Sequence, residues 1–371
     1  PGLNPAIRAV TVRALREGYR VLGIRRGWAG LVDLVPDPHA DNSSCIQELT
    51  EEVVNRAGRT GGTFLHTSRT RPSHLPITNV PTHLQDIYLD TINDVTPQVL
   101  KNIEFLGLDF LIPIGGDDTL SYGQRLHEEG VKVVAIPKTM DNDVPGTDYC
   151  IGFSTCVTRT IELTHRLRTS AGSHERFLVL EVFGRYAGFS AILPTMAGAA
   201  DRCVIPEHPF DMEQLCELLS YDRLKHPSNY SVVLISEGAT MTHHDGMLFE
   251  GDEVDQYGHK KLKELSPKFN NGRRVNVLSQ RLGYLVRCGD PDAMDSIVPM
   301  AFGNLAFDMV LANTSGRLIS LHNGCYDTVP IDVVTGHKKI VDVSKYYDTE
   351  RLRPKYESFL RLPTFIMTSD I

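Results

Sequence analysis

The sequence predicts an α/β protein made of two parallel-sheet units. Apolar, β-branched runs recur with helical stretches between them, as at Phe110–Pro113, Val131–Pro137, Phe177–Val182 and Ser231–Ile235, and such alternation marks a parallel sheet. Several of these runs stop abruptly in glycine, aspartate or arginine, and open α/β sheets place their ligands at the carboxyl ends of strands. The length of 371 residues favours two domains, or one large one, with ample core.

The elements follow in order. Pro1–Ala6 opens as a turn, with Asn4 placed to cap a helix carrying Ile7, Val10, Val12 and Leu15; Gly18 ends it, and Tyr19–Ile24 reads as a strand. A helix that starts at such a turn offers backbone amides to an anion. Segment 58–71 mixes Gly58, Gly61 and Gly62 with Arg59, Arg69, Arg71 and several hydroxyls. That mixture suits phosphate oxygens, and a solvated basic loop fits it as well. Pro72–Pro81 reads as extended, and Ile87–Leu106 as helical up to Gly107. Phe110–Pro113 then runs into Gly115-Gly-Asp-Asp118, a crossover helix spans Leu120–Glu129, and Val131–Pro137 runs into Lys138-Thr-Met-Asp-Asn-Asp143.

Ser154 is placed to cap a helix through Val157, Ile161 and Leu167 to about Gly172. Phe177–Val182 ends at Gly184-Arg-Tyr-Ala-Gly188, Ala200–Ile205 is another strand, and Ser231–Ile235 ends at Ser236-Glu-Gly238. Residues 241–258 are polar and turn-rich. Gly283–Pro291 ends one more strand, a helix runs from Asp292 to about Leu311, and Leu318–Leu321 is a late strand. The remaining Tyr-, Pro- and Arg-rich segment reads as a wrapping tail.

Composition narrows the function. With 41% hydrophobic and 23% charged residues this is an ordinary globular composition. A net charge of −8 argues against nucleic acid as a partner. No apolar run approaches the roughly 18 residues of a bilayer span. No signal peptide is read, and the opening at Pro1-Gly2 leaves room for residues ahead of it. Seven scattered cysteines form no Cys-x-x-Cys pair, which points to reduced thiols and a cytoplasmic protein. His243-His244-Asp245 could ligate a metal, but no third ligand has suitable spacing and a solvated loop is the plainer reading. The dinucleotide, P-loop and zincin signatures are absent.

The loops thus offer aspartates on one side and arginines with glycines on the other. That inventory fits phosphoryl transfer, where catalysis is chiefly positioning and charge neutralisation. Each residue has a structural alternative: Asp117 and Asp118 could cap the helix near Thr119, and Arg185 and Arg287 could form ion pairs.

At this point the chain resembles the 6-phosphofructokinases. Ile114-Gly-Gly-Asp-Asp118, Pro137-Lys-Thr-Met-Asp-Asn-Asp143, Phe183-Gly-Arg-Tyr-Ala-Gly188 and Leu282-Gly-Tyr-Leu-Val-Arg-Cys-Gly289 look like the successive family signatures, continued by Pro1–Arg8, Gly61–Leu65 and Ser236–Gly238. The motifs follow the family's order across essentially the whole chain.

The resemblance implies two Rossmann-like domains of the phosphofructokinase fold with the active site in the cleft between them. Residues 1–152 with about 286–345 would bind the phosphoryl donor, and 153–285 with the C-terminal tail the sugar phosphate. Asp141 would be the general base for the 1-hydroxyl of fructose 6-phosphate, oriented by Thr139 and Asp143. Asp117 would hold Mg²⁺, with Gly116 beside the donor, while Arg69 and Arg185 neutralise the transferred phosphoryl group. Glu237 matches the residue on the sugar hydroxyls, and Gly184 belongs to the same substrate turn. Tyr284 and Arg287 match positions on the 6-phosphate, and Arg176 one that reaches it from a neighbouring subunit, implying a homodimer or homotetramer. Arg281 or Arg274 could assist.

Two departures concern the donor. ATP-using relatives carry glycine where Asp118 and Lys138 stand. A carboxylate at 118 would fill space that a nucleotide's α-phosphate and ribose need and would repel that phosphate, and Lys138 adds a compact charge suited to diphosphate. The combination resembles the pyrophosphate-dependent branch, a reversible glycolytic enzyme. An ATP-dependent enzyme and a non-catalytic sugar-phosphate-binding subunit are the alternatives. Phe183 stands where the family commonly has Met, and the region of Lys260–Lys263 is short for the family.

Overall fold

A computed structural model describes residues 1–242, 275–336 and 338–357. His243-His244-Asp245, Lys260–Lys263 and Arg274 lie outside the described residues. In chain order the elements are α1 (Leu3–Arg16), β1 (Leu22–Ile24), α2 (Trp28–Asp33), β2 (Ile46–Glu48), α3 (Glu51–Ala57), β3 (Leu75–Pro76), β4 (Ile92–Asn93), α4 (Thr96–Leu106), β5 (Ile114–Gly115), α5 (Asp117–Glu128) and β6 (Val134–Pro137). There follow α6 (Phe153–Ser173), β7 (Phe177–Val182), α7 (Phe189–Met196), β8 (Arg202–Val204), α8 (Met212–Lys225), β9 (Ser231–Ser236) and β10 (Val277–Arg281). The chain continues with α9 (Met294–Leu311), β11 (Arg317–His322), β12 (Cys325–Pro330), α10 (Val333–Gly336), α11 (Val343–Tyr346), β13 (Tyr347–Asp348) and β14 (Arg353–Pro354).

Two compact units emerge, one of Pro1–Thr139, Val144–Gly152 and Gly289–His337, the other of Met140–Asp143, Phe153–Cys288 and Lys338–Ile371. The first contains a four-stranded sheet of order β12-β11-β6-β5. Here β11 and β5 run parallel to β6, and β12 is an antiparallel hairpin partner of β11. The second contains a wholly parallel sheet of order β10-β7-β9-β8. Every residue of β6, β7 and β9 is buried, as expected of parallel strands covered on both faces. Residues 338–341 belong to the second unit because they bond there: Lys339 N donates to Asp143 O at 3.2 Å and Val341 N to Glu207 at 2.9 Å.

Several elements depart from expectation. Asn4 lies inside α1 and caps nothing; only 1% exposed, it donates to Thr60 O and Oγ1 at 3.1 Å and accepts from Phe64 N at 3.2 Å. The helix expected from Ile87 begins only at Thr96, because the Asn93 side-chain amide closes a turn with Asp90, its oxygen accepting from Asp90 N and its nitrogen donating to Asp90 O, and Pro97 has no N–H to extend a helix backward. Ser154 sits within the first turn of α6 rather than ahead of it. The late strand is the first arm of a hairpin. Short elements such as α2 and α3 carry too few residues to show a period.

Helix α9 is long and apolar enough to cross a bilayer by length and composition, which corrects the expectation that no run approaches that length. In the first unit it is a core helix. Its fully buried Asp295 accepts from Tyr149 Oη at 2.6 Å and Gly152 N at 2.7 Å, while Gly303 passes closely over Ala6 in α1.

Candidate active site

In the first unit, two neighbouring strand ends carry the residues expected on the donor side. Gly115 is in register with Pro137, and Lys138 N donates to Gly115 O at 2.8 Å. Gly115–Asp118 and Lys138–Thr139 therefore leave one sheet edge side by side. A Cβ on Gly115 would lie 2.4 Å from Thr119, so this glycine serves the close turn from β5 into α5, whereas one on Gly116 would meet nothing nearer than Lys138 O at 3.5 Å. Asp117 and Asp118 form the first turn of α5, where the helix dipole favours carboxylates. The N-cap position itself is Gly116, ahead of both aspartates.

Asp118 points outward and is gripped by Arg71, whose Nη2 lies 2.8 and 2.7 Å from the two carboxylate oxygens. Arg71 ends the basic segment 58–71, and no local pattern there marks it as the partner of Asp118. That segment is built into the unit rather than solvated throughout. Besides its bonds to Asn4, Gly61 N donates to Asp290 at 3.2 Å, and a Cβ on Gly61 would lie 2.0 Å from Gly289 O. Arg69 is exposed. A cavity of about 430 Å³ lies among Val21–Ile24, Phe110–Gly115, Thr63, His66–Ser68, Thr119 and Lys138.

In the second unit, the order β10-β7-β9 brings three carboxyl ends together. Gly184, at φ +122° and with a Cβ position only 2.6 Å from Ala187 O, turns the chain after β7; glycine alone adopts this backbone without strain. Gly238 N donates to Gly184 O at 3.2 Å and Glu237 N to Val182 O at 2.9 Å. Gly238 lets the Arg185 backbone approach, since a Cβ there would lie 2.0 Å from Arg185 O. The result is a contact between two expected site residues, Arg185 Nε to Glu237 Oε1 at 3.8 Å.

Arg287 lies over the Tyr284 ring at 3.8 Å and near the Phe183 ring at 5.5 Å, and those rings meet edge to face. Phe183 thus supplies one wall of the guanidinium's seat, a role no sequence pattern announced. Arg281 bonds Glu181 at 2.6 Å; burial pushes the Glu181 carboxyl up, partly offset by that arginine. Arg176 precedes β7, at the end opposite Arg185, roughly 20 Å away along a six-residue strand. The structure does not bring it to the others within one chain.

The turn bearing Asp141 and Asp143 is held at its middle residue. Asn142 is buried at φ +56°, a left-handed conformation that asparagine tolerates better than most residues. Asp143 is 9% exposed. Among the described residues no group of three or more His, Cys, Asp or Glu stands ready for a metal. A single carboxylate such as Asp117 nevertheless fits Mg²⁺, which characteristically takes one or two carboxylates and completes its shell with water and substrate phosphates.

The phosphofructokinase family profile matches residues 1–310. The chain is 33% identical over 358 residues to the ATP-dependent 6-phosphofructokinase of Mycobacterium tuberculosis, covering 94% of this chain and 95% of that one. It is 35% identical over 359 residues to the pyrophosphate–fructose 6-phosphate 1-phosphotransferase of Streptomyces coelicolor, covering 93% and 94%. Among solved structures, the pyrophosphate-dependent phosphofructokinase from Nitrosospira multiformis superposes with a TM-score of 0.71 at 16% identity, over 100% of this chain and 94% of that one. The phosphofructokinase from Saccharomyces cerevisiae gives 0.66 at 22% identity over 90% of this chain, which spans 44% of the yeast chain. These two structural likenesses concern the fold, and the sequence matches extend it to descent: the chain belongs to the phosphofructokinase family.

Proposed function

We propose that this phosphofructokinase uses diphosphate, converting fructose 6-phosphate and diphosphate to fructose 1,6-bisphosphate and phosphate, reversibly, in cytoplasmic glycolysis. The observation that carries the choice of donor is the Asp118 carboxylate, held by Arg71 beside Gly116 on the edge shared with Lys138. Arg71 offsets part of the charge at Asp118, so the selection is chiefly steric. A nucleotide must extend past its β-phosphate into space the paired side chains take, and diphosphate ends before it. Lys138 contributes a compact cation for the short donor.

In this reading Asp141 removes the proton of the sugar's 1-hydroxyl as its oxygen bonds to the terminal phosphorus. The P–O bond to the departing phosphate breaks, and that phosphate carries away the electron pair. Thr139 and Asp143 orient the base, Arg69 and Arg185 neutralise the moving phosphoryl group, and Gly116 leaves backbone room for the donor. Glu237, in the turn with Gly184, binds sugar hydroxyls; Tyr284 and Arg287 bind the 6-phosphate, joined by Arg176 of a neighbouring copy in a homodimer or homotetramer. Asp117 would hold Mg²⁺, which when bound would supply charge neutralisation on the donor phosphates.

Donor use by ATP is the second reading, favoured by the M. tuberculosis relative, whose 33% identity is close to the 35% of the diphosphate-named one. Turnover measured with diphosphate and with ATP at equal Mg²⁺ separates them. Substantial rates with ATP and none with diphosphate would sink the proposal. The pair Asp118→Gly, Lys138→Gly is expected to gain ATP turnover.

A further inference from the structure

Glu207 lies just beyond β8 and has no part in the reaction as derived above. Its Oε1 accepts two backbone hydrogen bonds, from Gly188 N and from Val341 N, each at 2.9 Å. Gly188 closes the Gly184–Gly188 turn that carries Arg185. Val341 ends a short strap whose Lys338 amine sits 3.5 Å above the Tyr186 ring of that turn and whose Lys339 N donates to Asp143 O at 3.2 Å. One carboxylate oxygen therefore joins the arginine-bearing turn to the strap that also holds the Asp141–Asp143 turn.

We propose that Glu207 is a positioning residue for phosphoryl transfer, its carboxylate setting the Arg185 turn against the 338–341 strap. The inference rests on the role given to Arg185 above. Two N–H groups converging on one oxygen fix both distance and direction, and a carboxylate acceptor makes such bonds stronger than a neutral one. Burial pushes the Glu207 carboxyl up, and the bonds from Val341 N and Gly188 N, with a smaller contribution from its own backbone N–H, work against that shift, so the two positioning contacts also favour the charged form. The other oxygen is buried without a hydrogen-bond partner among the described residues, so no competing contact explains the side chain.

Glu207→Gln keeps the length and an acceptor oxygen; Glu207→Asp keeps the charge but withdraws the carboxylate by one methylene. A positioning role predicts that Glu207→Asp lowers kcat about 10- to 100-fold, the cost of a misplacement near 1 Å, with KM for fructose 6-phosphate changed much less. Glu207→Gln should recover most of the turnover. In an Arg185→Ala background, Glu207→Asp should add no further loss, since both act through one group. Glu207→Ala carries the same expectation and replaces Glu207→Asp if thermal melting shows the latter unfolded. Wild-type turnover in Glu207→Asp or Glu207→Ala, a Gln variant as impaired as Asp, or multiplying defects in the double variant would each overturn the proposal. Wild-type turnover in Arg185→Ala alone would instead remove the role of Arg185, and the positioning role with it.

Discussion

Residues adjacent in sequence meet different surroundings here. Asp117 and Asp118 share one helical turn, yet Asp118 is 70% exposed and chelated by Arg71. An exposed pair of this kind contributes only about 0–1 kcal/mol to stability, so the role proposed for it is in what fits beside Gly116 rather than in folding. Asp141→Ala should lower kcat by about 10² to 10⁴, the usual worth of a general base; steady-state rates within tenfold of wild type would remove it from that role. Phe183→Leu takes one aromatic wall from Arg287. A cation–π contact at a partly exposed site is worth about 0.5–1 kcal/mol, so KM for fructose 6-phosphate should rise about two- to fivefold with kcat nearly unchanged, as read in saturation kinetics.

At the scale of elements, β8 is where the C-terminal segment is fastened. Arg202, 5% exposed, bonds both oxygens of Asp222 in α8 at 2.6 and 2.7 Å and donates to Arg351 O, while Cys203 O accepts from Tyr347 Oη at 2.7 Å. Removing one partner of a buried pair strands the other charge. Asp222→Ala is therefore expected to destabilise the protein by about 3–5 kcal/mol in denaturant unfolding. Asp201 precedes the same strand, and burial pushes its carboxyl up, partly countered by its bond from Val232 N. A raised carboxyl pKa means that the folded state binds the proton more tightly than the unfolded one, so this group's contribution falls as pH rises through that window. Asp201→Asn keeps an acceptor for Val232 N and removes the buried charge. Its melting temperature relative to wild type should be higher at pH 8 than at pH 4, because lowering the pH favours the protonated form of wild-type Asp201 that the raised pKa stabilises in the folded state.

At the scale of the molecule, Arg176 sits at the wrong end of β7 to join Arg287 within one chain, and the proposed assembly supplies it from a neighbour. Mixing Arg176→Ala and Asp141→Ala proteins after dissociation and reassembly should regenerate intact sites. For a dimer, activity would recover to roughly a quarter of wild type, because half the assemblies are hybrids and each hybrid holds one intact site of two. No recovery, with hybrids demonstrated by native mass spectrometry, would confine the site to one chain.

The alternation of apolar runs with helical stretches, and the glycine, aspartate and arginine stops that end them, are local signals. They foretold the parallel sheets and the residues that stand at their carboxyl edges, because burial on both faces demands continuous apolar runs and the chain must turn where they stop. Local signals failed where they were weak or overridden, as with Asn93 and Pro97 cutting back α4 and with short helices such as α2 and α3. What only the tertiary structure decided are pairings across long stretches of chain: Arg71 with Asp118, 47 residues apart, and Glu207 with Val341, 134 apart. A charged side chain is compatible with many partners. Which one it meets is set by how distant segments pack, and no spacing along the sequence encodes that.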